Sequence, residues 1–110
     1  MQDNAGGSGV MWSGGGEDLN VNLVELAPAT AIGMHVNTEV DVLLVGVSGS
    51  GMVETGAPAE GVEVAAHRLA SGVLVEIPKG LQRSIAAGDA APLRYLSVHR
   101  RRQLRMGATR

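Results

Sequence analysis

The chain is predicted to fold as an all-β domain, a small sandwich or barrel, and three observations carry that prediction. Apolar residues recur with a period of two, turn signals break the pattern every few residues, and no stretch shows the 3.6-residue period of an amphipathic helix. The clearest alternation runs from Asp18 to Leu26, where Leu19, Val21 and Leu23 alternate with Asn20, Asn22 and Val24. Apolar residues make up 45% of 110 positions, enough for one core and one domain. The sequence is rich in valine and leucine, with Trp12 and Tyr95 as its only aromatic residues, so the core is expected to be aliphatic.

Residues 1–9 are small and polar with little to bury, and are expected to form a flexible arm before the domain at 10–110. Strands are expected at Val10 to Trp12, Asp18 to Leu26, Ala31 to Val36, Glu39 to Val47, Gly51 to Glu54, Val62 to His67, Val73 to Ile77, Arg83 to Ala86 and Leu93 to Arg100. The breaks fall at Gly14–Gly16, Pro28, Ser48–Gly51, Gly56–Pro58, Ser71–Gly72, Pro78–Gly80 and Gly88–Asp89. Ala86 to Ala91 could add at most one helical turn, and no internal repeat is visible.

Composition removes several classes of function. With no cysteine, the chain has no thiolate for catalysis or metal binding and no disulfide framework. The start, MQDNAGGSG, has neither the basic nor the apolar region of a signal peptide, and no apolar run is long enough to span a membrane, so a soluble cytoplasmic protein is expected. The net charge of −2 conceals a basic end, since Arg100, Arg101, Arg102, Arg105 and Arg110 are five of the nine basic residues. A basic tail invites a nucleic-acid reading, but the rest of the chain is acidic and nearly without aromatic residues for base stacking, so no nucleic-acid partner is expected.

Two short segments carry the chemistry. The first reads Gly33-Met34-His35, three residues, Glu39, six residues, Gly46; the second reads Gly72, five residues, Pro78-Lys79-Gly80, two residues, Arg83, three residues, Ala87. Together they resemble the two motifs of the cupin family, the likeness extending from about Leu19 to His99. In that family the first motif is His-x-His, Glu, Gly, and the second is Gly, Pro-x-Gly, His, Asn. Pro78 sets φ in a tight turn and Gly80 relieves crowding at its exit, while Gly46 and Gly72 are read as places where the chain reverses. The resemblance implies a cupin-type double-stranded β-helix, that is, a jelly-roll barrel, in a family that commonly pairs through its sheets. A homodimer is therefore expected, all the more because so small a barrel exposes much of its apolar surface.

The departures from the motif are equally specific. The resemblance implies a metal held by two histidines, the glutamate and the later histidine, and only His35 and Glu39 stand at those positions. Gly33 replaces one histidine and Arg83 another, leaving at most a weak metal site where three or four ligands are usual. Along an unbroken strand residues four apart would lie roughly 13 Å from each other, so a shared site needs a bend, for which Asn37-Thr38 is suited. Without a bend, His35, Asn37, Glu39 and Asp41 form one polar strand face.

His35 and Glu39 can thus be a remnant metal or proton-transfer pair, or simply a hydrogen-bonded polar pair. Arg83 can bind an anion or act as structural partner to Glu39 or Asp41, its charge replacing that of the metal. The leading expectation is a barrel lined by Asn20, Asn22, His35, Glu39, Asp41 and Arg83 that takes a small polar or anionic ligand with no tightly held metal. The alternative is a divalent-metal cupin enzyme, an isomerase, lyase or dioxygenase, using His35, Glu39 and a nonstandard ligand such as Asp41. A structural or accessory homodimer is the third reading. His67 and His99 are read as ordinary strand histidines and Lys79 as a solvated turn residue.

Overall fold

A computed structural model describes residues 9–56 and 64–100, apart from the side chains of Met34 and His35. Within these residues the chain forms β1 (Gly9–Gly14), β2 (Leu19–Leu26), β3 (Ala31–Val36), β4 (Val42–Ser48), β5 (Ser50–Gly56), β6 (Ala65–Ala70), β7 (Leu74–Ile77), β8 (Gln82–Ala87) and β9 (Leu93–Arg100). They make two antiparallel sheets, a five-stranded one in the order β1-β2-β9-β4-β7 and a four-stranded one in the order β3-β8-β5-β6. Among the described residues no helix is long and apolar enough to cross a membrane.

The core lies between the sheets and is aliphatic, as the composition implies. Val24, Leu26, Val42, Leu44, Val75, Ile77 and Leu93 from the larger sheet meet Val53, Leu69, Ile85 and Ala87 from the smaller. Period two does the sorting, because each of these strands sends alternate side chains inward. The two sheets come into close contact at one end of the barrel. There Leu93 abuts Gly51, and the Ala70 carbonyl lies so close to Gly46 that a β-carbon on Gly46 would sit 1.8 Å from it.

Gly46 therefore does something other than what its motif position suggests. It lies inside β4, not at a reversal, and its missing side chain lets the end of β6 press against β4; the Gly46 amide donates to Val73 and its carbonyl accepts from Gly72. Gly72 and Gly80 are true turn glycines, with φ of 82° and 93°.

Only the strands expected at Ala31 to Val36 and Leu93 to Arg100 keep both ends, and four of the differences are informative. The first strand begins at Gly9, one residue inside the expected arm; the remainder of that arm, and the tail beyond Arg100, lie outside the described residues. The strand expected from Glu39 starts at Val42, because the Asn37 side-chain oxygen accepts from the Glu39 and Val40 amides at 2.9 and 3.2 Å and bends the chain. The strand expected at Gly51 to Glu54 is longer, Ser50–Gly56. Of the strand expected at Val62 to His67, positions 62–63 lie outside the described residues; the described strand runs Ala65–Ala70, where pairing from Thr55↔Ala65 to Ser50↔Ala70 sets the register despite an alanine-rich sequence of low β-propensity.

Candidate ligand-binding site

The barrel interior changes character along its length. At the end opposite Leu93 and Gly51, the inward positions of β2 and β9 become polar: Asn20 is paired with His99 and Asn22 with Ser97, on the face that carries buried Val24, Leu26 and Tyr95 further along. The smaller sheet does the same. Past Ile85 and Val53, its next inward row is Arg83 with Thr55, and Thr55 is buried. The β7–β8 turn at Pro78–Gly80 and the Asn37 bend meet beside this end, with the Gly80 amide donating to the Asn37 carbonyl at 2.8 Å. The interior is thus aliphatic at the end of Leu93 and Gly51 and mixed at the other, where the polar positions of β2, β9, β8 and β5 face buried Val42 and Ile77 of β4 and β7.

Arg83 and Tyr95 face one another across it. The Arg83 Nε and Nη1 atoms are shut off from solvent. Burial drives the Tyr95 phenol up to about pKa 12, against a smaller downward pull from the Arg83 charge. Tyr95 is thus a neutral hydroxyl at physiological pH, able to donate a hydrogen bond.

The asparagines are held in place by neighbours. Ser13 Oγ donates to Asn22 Oδ1 at 2.6 Å. His99 Nδ1 lies 2.8 Å from the Arg100 carbonyl oxygen, which only accepts, so Nδ1 carries the proton and Nε2 accepts from Asn20 Nδ2 at 3.2 Å. His99 is accordingly a fully satisfied buried histidine.

Of the six residues expected in the cavity, Asn20, Asn22 and Arg83 take inward-facing positions in their strands. His35 occupies the ladder position opposite Arg83 on the neighbouring strand, past a bulge between Ile32 and His35. Glu39 lies in the β3–β4 connection and is exposed, its carbonyl oxygen 3.4 Å from an Arg100 guanidinium nitrogen. Asp41 is not brought to the others. Its Oδ1 accepts from the Lys79 amide at 2.9 Å, and its exposed side chain borders a groove of about 420 Å³ with Leu19, Val42, Leu43, Glu76, Val98 and His99. The period of two explains this, since Asp41 shares parity with outward Leu43. His67 is exposed on β6.

Sequence reasoning overlooked Tyr95, Thr55 and Ser97. The signal for two of them was present in β9, where Leu93, Tyr95, Ser97 and His99 share one face by simple alternation. Thr55 lay just beyond the expected end of its strand.

Searched by sequence, the chain matches no family model and no curated protein. Its solved structural neighbours are informative. An RmlC-like cupin with a double-stranded β-helix fold from Methanocaldococcus jannaschii superposes with a TM-score of 0.70 at 17% identity, covering 93% of this chain and 87% of that one. The fold is that of a cupin. A cupin protein from Bacteroides fragilis agrees at a TM-score of 0.64 and 18% identity, covering 76% of this chain and 66% of its own. A Bacillus halodurans protein superposes at 0.74 with 21% identity, over 92% of this chain and 74% of that one.

The cupin resemblance implies a metal, and the residues present do not fit one. Gly33 supplies no donor, and Arg83 puts a permanent cation directly across the ladder from His35. Among the described residues, which leave out the His35 side chain, no three His, Asp or Glu side chains cluster in a way that could hold an ion.

Proposed function

We propose that this cupin-fold domain binds a small anionic ligand in its cup, with the Arg83 guanidinium as the charged anchor and no tightly held metal. The observation that supports this reading is the position of Arg83: a fixed cation, part of it closed off from water, on the inner face of the barrel beside a buried neutral phenol. A guanidinium offers donors in a planar fork that matches carboxylate or phosphate, and it is worth more to an anion where water is excluded. Tyr95 and Thr55 add hydroxyl groups on either side, and the Asn20 and Asn22 amides border the same wall. A ligand carrying one anionic group and neighbouring hydroxyls or carbonyls matches that set.

Calorimetric titration with inorganic phosphate, sulfate and a small dicarboxylate tests the reading. At least one of these anions is expected to bind and to raise the melting temperature. Arg83→Gln is expected to weaken that binding by about tenfold to a hundredfold, the range of a charge-assisted hydrogen bond. If no anion binds, or if Arg83→Gln leaves the affinity unchanged in a folded protein, the cup is not an anion site.

A further inference from the structure

The polar part of the larger sheet's inner face is a ladder of neutral side chains in register. Backbone pairing sets Ser13 beside Asn22 and Asn22 beside Ser97, with Asn20 beside His99 in the next row. Buried Leu44 is the neighbour of Ser97 on the following strand, which marks the first row as inward. Asn20, Asn22 and Ser97 are each half-buried and can still be reached from the interior.

Neighbours fix which end of each amide is offered. The Asn20 Nδ2 group donates to His99 Nε2, which leaves Asn20 Oδ1 as an acceptor. Ser13 Oγ donates to Asn22 Oδ1, which leaves the Asn22 amide protons as donors. Ser97 Oγ can do both. Among the described residues, Asn20 Oδ1, Asn22 Nδ2 and Ser97 Oγ have no hydrogen-bond partner. Beside them stands a single fixed charge, since Arg83 is the only Asp, Glu, Lys or Arg among the inward positions of β2, β8 and β9. That charge acts on Tyr95, and Tyr95 and Ser97 are successive inward residues of β9, roughly 7 Å apart along the strand. The cation and the neutral ladder therefore border the same space.

We infer that the ligand anchored by Arg83 is a carboxylate on a hydroxylated carbon chain, of the sugar-acid class, and that Ser97, Asn22 and Asn20 select it over a bare alkyl carboxylate. The inference rests on the anion reading proposed above. One guanidinium balances one carboxylate, whereas a phosphate would bring up to about two negative charges to a wall that holds no second fixed cation. A hydroxyl both donates and accepts, so it suits an acceptor at Asn20, a donor at Asn22 and either role at Ser97; a carbonyl would answer only the donors. A bare hydrocarbon chain would leave all three groups without a partner where water is partly excluded, and this costs affinity.

Gluconate, hexanoate and glucitol separate these contributions, because they carry the carboxylate with hydroxyls, the carboxylate without them, and the hydroxyls without the charge. Titrated calorimetrically into the full chain, gluconate is expected to bind at least about tenfold more tightly than hexanoate, the combined effect of two or more hydrogen bonds. In nitrogen-correlated NMR spectra, gluconate should move the Asn22 side-chain amide resonances and hexanoate should not. Ser97→Ala is expected to reduce the preference for gluconate by about threefold to tenfold while leaving hexanoate affinity unchanged, and Ser97→Thr, which keeps the hydroxyl, should retain the preference. If both carboxylates bind equally, or if bound gluconate leaves the Asn22 amide unmoved, the ladder does not select hydroxyls and the inference fails while anion binding at Arg83 stands. If glucitol binds as tightly as gluconate and Arg83→Gln weakens neither, the anion reading itself falls and takes this inference with it.

Discussion

The inner and outer faces of the five-stranded sheet invert the usual arrangement over the same few residues. Between Leu19 and Leu23 the asparagines face the barrel interior while the leucines and valine face outward; along β9, Ser97 and His99 are inside while Leu96 and Val98 are outside. Along these two strands the inner face becomes apolar only from Val24 and Tyr95 toward Leu26 and Leu93, whereas β4 and β7 bury Val42 and Ile77 at the other end. The difference shows that alternation tells how a strand is divided between two faces, but not which face is the inside. A polar interior belongs to a cup that water or ligand can enter. The apolar exterior departs from the ordinary case, in which an antiparallel sheet leaves one face to solvent and makes it polar.

The largest way to break this comparison is to extend the polar interior into the base of the barrel. Leu26→Asn, at a position 1% exposed within the core, removes aliphatic packing and buries an amide, and is expected to cost about 3–5 kcal/mol in chemical denaturation. A loss under about 1 kcal/mol would mean that water reaches the base and that the cup has no dry floor.

Next in size is the alkaline limb of stability, which reports on Tyr95 at the boundary between dry base and polar mouth. Its pKa is raised in the folded state from 10.0 to about 12, so the native fold favours the protonated phenol. The stability this represents is complete below pH 10, where the phenol of the unfolded chain is also protonated, and is lost as pH climbs from 10 through 12. Two units correspond to about 2–3 kcal/mol. Denaturation midpoints measured between pH 9 and 12 should fall accordingly, and Tyr95→Phe should flatten that fall; an unchanged slope in the phenylalanine variant would place the titration elsewhere.

The smallest effect is expected on the outside. Leu23→Asn makes that face resemble the inside, yet at low protein concentration it should change monomer stability by less than about 1 kcal/mol, because Leu23 contributes nothing to the core between the sheets. A cost as large as that of Leu26→Asn would show that the outer row is packed within the monomer.

Much of the local structure was legible from the sequence because its causes are local. Proline and glycine at 78–80 specify a turn, and the asparagine at 37 bends the chain through its own side-chain oxygen, both within a few residues. The replacement of a metal-binding imidazole by Arg83 was likewise visible, since a guanidinium is a cation in any surroundings. Period two settled that Asn20 and Asn22 share a face.

The tertiary structure decided the rest, because it depends on pairing between strands far apart in the chain. β2 lies against β9, so the facing of Asn20 is set by His99, 79 residues away, and the presence of Tyr95 and Ser97 in the cup follows from the same register. Asp41 left the site once the Asn37 bend delayed β4 and the Lys79 amide took up its carboxylate. Gly46 serves a contact with Ala70 that no reading of its own neighbours could reveal. Short-range sterics and hydrogen bonding determined where this chain turns and which residues alternate; only long-range registry determined which of them lie inside the barrel and which outside.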